Sequence, residues 1–446
     1  MRRTCLLTLA LLLVILVPVL LLGTGSVRAD DRDHRDHQGD RDNRDNSGDR
    51  NNGGNGGPLG LLTTIPVPGL VVFDISWVDP DTQLYYLADR SNAAIDVIDA
   101  RRDVFVGQIK PTGTQAFRGF TGNNNTSGPN GVVVSGRWLF VTDANSRVVS
   151  IDLTTGQIVG DVRVGGADGL RTDELAYDPE DGILLVVNNA DDPPFATLIT
   201  VDTHTGHLTV GKQITLKSTT TPPGGFPSGG FTATNGAEQP AWDRSTGKFY
   251  VSIPEVNGNG GTSPSGAVAR ISPTGALEAL FKVDFCQPAG LTVGPRGDLL
   301  LGCSVVFDTV GNAWDPMDPK PPMPISVIMD ARTGAIVKNV AGISGSDEVW
   351  FNPGDQRYYL AARADPLGPV LGVIDAESQT LIQRVPTFNT PSTSPAPRGT
   401  AHSVAVNPSN NHVFVPLPAN SVATSICRNG CVAVFGPPKS ESEGDD

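Results

Sequence analysis

Short runs of alternating apolar and polar residues, broken by turns, fill the chain from Leu61 onward. A period of two places successive side chains on opposite faces and predicts half-buried strands. No apolar period near 3.6 appears outside the N-terminus, so helices are not expected. One phrase recurs: "DVIDARRDV" from Asp96, "VSIDLTTGQ" from Val149, "ITVDTHTGH" from Ile199, "VIMDARTGA" from Val327 and "GVIDAESQT" from Gly372, with a worn copy, "ARISPTGAL", from Ala269. Each reads as a strand, a tight turn and a further strand.

Upstream of these phrases stands a hairpin, as in "FDISWVDPDTQLYYLAD" from Phe73 or "HSVAVNPSNNHVFVP" from His402. Seven such hairpins begin 43 to 65 residues apart, at Phe73, Asn130, Asp173, Glu238, Pro288, Asp347 and His402. Four antiparallel strands at this period predict an all-β fold, a seven-bladed β-propeller. A single unit cannot bury both of its faces, so units must stack around an axis. The last unit has a hairpin and a third strand, "CVAVFG" from Cys431, but no fourth. The spare strand "LLTTIPVPG", Leu61 to Gly69, is expected to supply it, fastening the ring and removing two open edges.

Composition agrees. Gly 51 and Pro 36, with 6% aromatic and 18% charged residues, suit many strands joined by turns. Ahead of the propeller (58–437), Arg2, Arg3, the apolar run from Cys5 to Leu22 and the Val27-Arg28-Ala29 site read as an export signal, 1–29, cleaved after Ala29. Cleavage would remove three arginines and no acid, taking the net charge from −14 to −17. A chain this acidic is a poor match for nucleic acid. Residues 30–57 are rich in Asp, Arg, Asn and Gly and have almost nothing apolar to bury; they read as a solvated tether, and 438–446 as a polar tail. Together these features predict a secreted, periplasmic or cell-surface protein with no membrane span after cleavage.

The Ile/Val-Asp-x-x-Thr-Gly turns and the "AVNPSNNHVFVP" hairpin make the stretch from about Leu61 to Pro437 resemble the YVTN-type seven-bladed propellers of exported bacterial proteins. The resemblance implies the fold and leaves activity open. More locally, "PNGVVVSGRWLFVTD", Pro129 to Asp143, is similar to a hairpin of calcium-dependent lactonases of the gluconolactonase family, where the Pro-Asn-Gly asparagine sits on a central metal.

Turns within the first hairpins are short, whereas Phe117–Gly128, Lys217–Ala237, Glu255–Gly266, Val305–Pro324 and Phe388–Ala401 are long and fall on the opposite face. Long loops gathered on one face predict a binding face on a rigid scaffold, for a protein or small-molecule ligand. Counting back five positions from each first turn gives Asp74, Asn130, Asp173, Glu238, Ala289, Asp347 and His402, with Glu174 and Glu348 beside two of them. Acidic and polar residues are rare in strands, and like charges facing one tunnel repel unless a cation or protons occupy it. Such an oxygen-rich set suits Ca²⁺ or another divalent cation. Two functions follow from different classes: a binding module using the long-loop face and tunnel, or a metal-dependent, lactonase-like hydrolase with its site at the tunnel mouth.

Four cysteines remain after signal cleavage, and the pairs Cys286–Cys303 and Cys427–Cys431 are expected to form disulfides. "GHLTVGK", Gly206 to Lys212, has phosphate-loop spacing, but Gln213 stands where Ser or Thr must hold Mg²⁺. His204 and His207 belong to the same short turn and are not expected to bind metal.

Overall fold

The computed structural model describes residues 57–387, 402–420 and 425–438. The expected signal, the tether up to residue 56, the loop 388–401 and the tail from residue 439 lie outside them. Among the described residues there are seven four-stranded antiparallel sheets; six are in sequence order from the inner to the outer strand, and the seventh takes its outer strand from the start of the propeller. Blade 1 is Phe73–Asp79, Leu84–Asp89, Ala94–Asp99 and Val104–Ile109. The inner strands of blades 2 to 7 are Val132–Ser135, Leu175–Asp178, Pro240–Asp243, Cys286–Val293, Val349–Asn352 and Ala405–Asn407.

Burial explains the strand patterns. The two middle strands of a blade are covered on both faces by neighbouring blades, so Ala94–Asp99 is buried throughout, whereas the outermost strand Val104–Ile109 alternates. The core is therefore not one mass. Seven apolar clusters each join two adjacent blades, as where Tyr86 and Val97 of blade 1 meet Leu139 and Val149 of blade 2.

The recurring phrase has a local cause. Its Asp ends the third strand and accepts a backbone N–H two or three residues on: Asp99 from Arg101 at 3.0 Å, Asp152 from Thr154 at 2.9 Å, Asp202 from His204 at 2.9 Å and Asp375 from Ser378 at 2.8 Å. These are Asx-type turns. In the worn copy Ser272 Oγ accepts instead from the Ala276 N–H, four residues on, at 3.0 Å. Four residues after the Asp the backbone is left-handed, which is why Gly156, Gly206 and Gly334 stand there.

The ring closes as expected. Gly60–Pro66 pairs antiparallel with Cys431–Gly436, from Gly60 opposite Gly436 to Pro66 opposite Cys431. The pairing runs on through Val67 N–H to Gly430 O at 3.1 Å and Gly69 N–H to Asn429 O at 3.2 Å. Ile65, Val67 and Leu70 pack between Phe73 and Tyr85 of blade 1 and Phe414 and Val434 of blade 7. An element not anticipated is a two-stranded ribbon, Lys217–Ser218 with Phe231–Thr232, inside the long loop after blade 3.

Both cysteine pairs stand at disulfide distance, with Cα–Cα separations of 5.2 Å for Cys286–Cys303 and 5.3 Å for Cys427–Cys431. Cys303 is opposite Pro288 rather than Cys286, and irregular pairing around Pro288 brings the two cysteines within reach. Bridge 286–303 closes a 17-residue separation and the other only 4. Loop-closure entropy then assigns about 3 kcal/mol to the first and about 2 kcal/mol to the second. Urea unfolding of Cys286→Ala/Cys303→Ala against Cys427→Ala/Cys431→Ala should show that order.

Candidate functional site

The inner strands converge on the axis, and the polar residues counted back from their turns all stand at the long-loop end. Asp74, Asp173, Glu174, Glu238, Asp347, Glu348 and His402 line one axial cavity of about 320 Å³. Residues from blades 1, 3, 4, 6 and 7 are thus brought together as the strand register predicted. Asn130 is the exception. It is fully buried behind the wall, its Oδ1 accepting from Arg90 Nε at 2.9 Å and its Nδ2 donating to Thr172 O at 2.7 Å. Ala289 holds the equivalent place in blade 5 and adds no polar group.

Three residues that the counting missed complete the cavity: Arg90, Arg171 and Arg363. Arg90 pairs with Asp74 and stands 3.9 Å from Asp173. Arg171 reaches Asp74 at 3.3 Å and Asp173 at 2.8 Å, while its Nε donates to Asn189 Oδ1 at 3.3 Å. Arg363, nearer the mouth, pairs with Asp347 at 2.6 Å. Burial and repulsion from Arg171 pull the Arg90 guanidinium down to about 9, so it remains charged at neutral pH. A signal for two of the three was in the sequence: "YYLADR" and "YYLAAR" end the second strands of blades 1 and 6 with an arginine at the same place.

The three glutamates behave differently. Among the described residues none of Glu174, Glu238 and Glu348 has an arginine within ion-pair distance. Ser403 Oγ donates to Glu348 Oε2 at 3.3 Å and also stands 2.8 Å from Ser76 Oγ, but Glu348 Oε1 has no hydrogen-bond partner. Burial, then the charge of Glu348, pushes Glu174 well above the carboxylate range; burial, then Asp347, does the same to Glu348. Glu238 is pushed up to about 8 by burial and by Asp173. At neutral pH Glu238 therefore holds its proton and the other two are shifted in the same direction, while arginines balance the aspartates.

His402 closes the ring of polar groups. Its ring stacks on Phe73 at 5.2 Å and its Nε2 donates to Phe73 O at 3.0 Å. Burial and the Arg363 charge pull it down to about 4, so it is neutral at pH 7. Its unprotonated Nδ1 then faces Asp347 Oδ2 at 3.7 Å.

The residues expected to hold Ca²⁺ therefore share a cavity but not the arrangement of a cage. Arg90 occupies the Asn130 oxygen, and among the described residues no group of three or more His, Cys, Asp or Glu side chains stands in metal-binding geometry. Counter-charge comes from the chain's own guanidinium groups. At the opposite mouth the axis widens into a second cavity of about 400 Å³, apolar and walled in part by Trp77, Tyr177, Trp242 and Trp350.

The long-loop face differs from the short-turn face in more than length. The large apolar side chains most exposed to solvent lie either on outer strands, as Val104 and Val106, or in long-face segments: Val71, Phe120, Val310, Met317, Met323, Leu367 and Ile426. Among the described residues the short turns carry none. "GHLTVGK" lies in a strand–turn–strand, ahead of no helix, with His204 and His207 exposed.

No family model and no curated protein matches the chain. Among solved structures 1516 chains match, so the shared feature is a widely used fold, not an activity. One is a chain in the crystal structure of a mitotic checkpoint complex. It is 12% identical with a TM-score of 0.54, over 84% of this chain and 93% of that chain. No helix among the described residues is long and apolar enough to cross a membrane.

Proposed function

We propose that the protein is an exported binding module that seats a small polar ligand in its axial cavity, beneath the long loops. The observation that carries this reading is the convergence of ten ionisable side chains from five blades on a space of about 320 Å³ open at the loop-rich face. Concave sites with a few convergent polar groups and perturbed titration are where ligands bind. Paired cysteines and the signal-like N-terminus support export, and the likeness to YVTN-type propellers points the same way. The lactonase-like alternative depends on a central cation. With Asn130 committed to Arg90 and Thr172, no observation favours that alternative over binding.

The test is a thermal-shift survey of the mature chain with amines, carboxylates, sugars, nucleotides and divalent cations. At least one class should raise the melting temperature of the wild type. That shift should vanish in Glu238→Gln/Arg363→Gln and persist in Arg332→Gln, on the short-turn face. A wild type indifferent to every class, or a shift that survives the axial pair of substitutions, would overturn the reading.

A further inference from the structure

We propose that the axial cavity binds a small organic ammonium ion, its nitrogen on the carboxyl groups of Glu174, Glu238 and Glu348 and its carbon body against the apolar part of the wall. The inference rests on the cavity being a ligand site and names the chemistry of the ligand.

The balance of charged groups favours a cation. Six carboxyl groups face the cavity against three guanidinium groups. Asp74 and Asp173 share Arg90 and Arg171, and Asp347 has Arg363. His402, buried beside Arg363, is neutral at pH 7 and adds no charge. The three glutamates, from blades 3, 4 and 6, are left with no cation. An arriving cation can displace the protons these carboxyl groups hold, because a positive charge within a few ångströms favours the ionised form. An anionic ligand, by contrast, would find no unpaired positive charge here. It would also find Arg90 and Arg171 engaged by Asp74, Asp173, Asn130 and Asn189.

A second, independent observation points to a donor. Glu348 is 2% exposed, lines the cavity, and its Oε1 has no hydrogen-bond partner. Buried polar atoms are nearly always partnered, and each exception calls for an explanation. An ammonium group carries three N–H donors and no acceptor, one for each of three carboxyl groups.

Size and lining separate an organic cation from a metal. A space of about 320 Å³ corresponds to the liquid volume of roughly ten waters. A bare divalent ion would leave most of it vacant, and the carboxyl groups do not stand as a cage. Val71, Val72, Phe73 and Pro418 line the same cavity and offer carbon to a carbon body. Glu174 and Glu348 are 6% and 2% exposed, whereas the side chains of Arg363 and Asp347 are 48% and 24% exposed, so the glutamates lie deeper than the pair at the mouth. The charged end of the ligand therefore goes in first.

Isothermal titration and thermal shift would use butylamine, with butan-1-ol, butyrate and CaCl₂ as comparisons at matched concentration and ionic strength. Butylamine should bind saturably and raise the melting temperature, and the other three should do neither. Glu174→Gln/Glu348→Gln, which keeps shape and removes the capacity to ionise beside a cation, should weaken butylamine at least tenfold. Glu278→Gln, on an outer strand, should leave its affinity unchanged. Equal shifts by the amine and the alcohol, or by Ca²⁺, would overturn the ammonium assignment, as would undiminished amine binding in the double variant. Binding of butyrate alone, lost in Arg363→Gln, would overturn the ligand class while leaving the axial site standing. Indifference to all four probes would overturn it too, and a ligand from another class in the wider survey would then show the site itself intact.

Discussion

A mature chain beginning at Val71 should melt far below one beginning at Pro58, or aggregate before it melts. The shorter chain loses the strand Gly60–Pro66 and with it every backbone pair to Cys431–Gly436. It also loses four side chains that are almost fully buried: Leu59, Ile65, Val67 and Leu70. At about 1.5–3 kcal/mol for each buried aliphatic side chain, the gross loss is roughly 6–12 kcal/mol, an upper estimate. Whole domains are stable by only about 5–15 kcal/mol. Two further consequences follow from the geometry. Cys431–Gly436 becomes an open edge in the last blade, a template for pairing with another chain. The apolar cluster between blades 7 and 1 also loses its filling, so the ring opens at that seam. Differential scanning calorimetry with light scattering would read both effects. Equal melting of the two chains would show that the strand is not what closes the ring.

The propeller was legible because its signals are local and repeated. The strand period recurs in every unit and the Asx-type turn in most of them, with glycine at the left-handed position in three, and the missing last strand had one candidate to fill it. The site was legible in part, for a reason that lies in the same geometry. Inner strands run along the axis, so counting back from their turns fixes which residues stand at the tunnel mouth. It does not fix which long side chains reach there from elsewhere. Arg90 and Arg363 come from the ends of second strands, and Arg171 from a link between blades. Their backbones lie outside the counted positions. Asn130 was placed at the right level, but Arg90 from the neighbouring blade covers it. Loop lengths gave the face, and only the fold shows that exposed apolar side chains such as Met317 and Leu367 gather there.

Stability should fall as pH rises from about 6.5 to 9, opposite to the behaviour of a protein held by ionised carboxylates. Glu238 has its carboxyl raised from 4.5 to about 8, chiefly by burial, and Glu174 and Glu348 are shifted in the same direction. Asp96, buried beside Asp89 in blade 1, is likewise raised to about 8. Between those limits the folded chain holds protons that the unfolded chain has released. The stabilisation is complete below about 4.5 and is lost as pH passes 8. His402 works in the other direction and in another window. Its pKa is lowered from 6.5 to about 4, so its contribution is present above 6.5 and lost as pH falls towards 4. Above 6.5 the carboxyl groups set the slope, until Arg90, lowered to about 9, begins to release its proton at the top of the window and opposes them. Glu238→Gln keeps the neutral shape at every pH and isolates one of them. One pKa unit is worth about 1.4 kcal/mol, so the variant should gain on the order of 2–5 kcal/mol over wild type at pH 9 and almost nothing at pH 5. Urea unfolding at the two pH values decides it. A wild type whose stability is level or rising between pH 6.5 and 9, with no alkaline gain from Glu238→Gln, would mean that the axial glutamates are already ionised at neutral pH. The cavity would then carry an unbalanced negative charge.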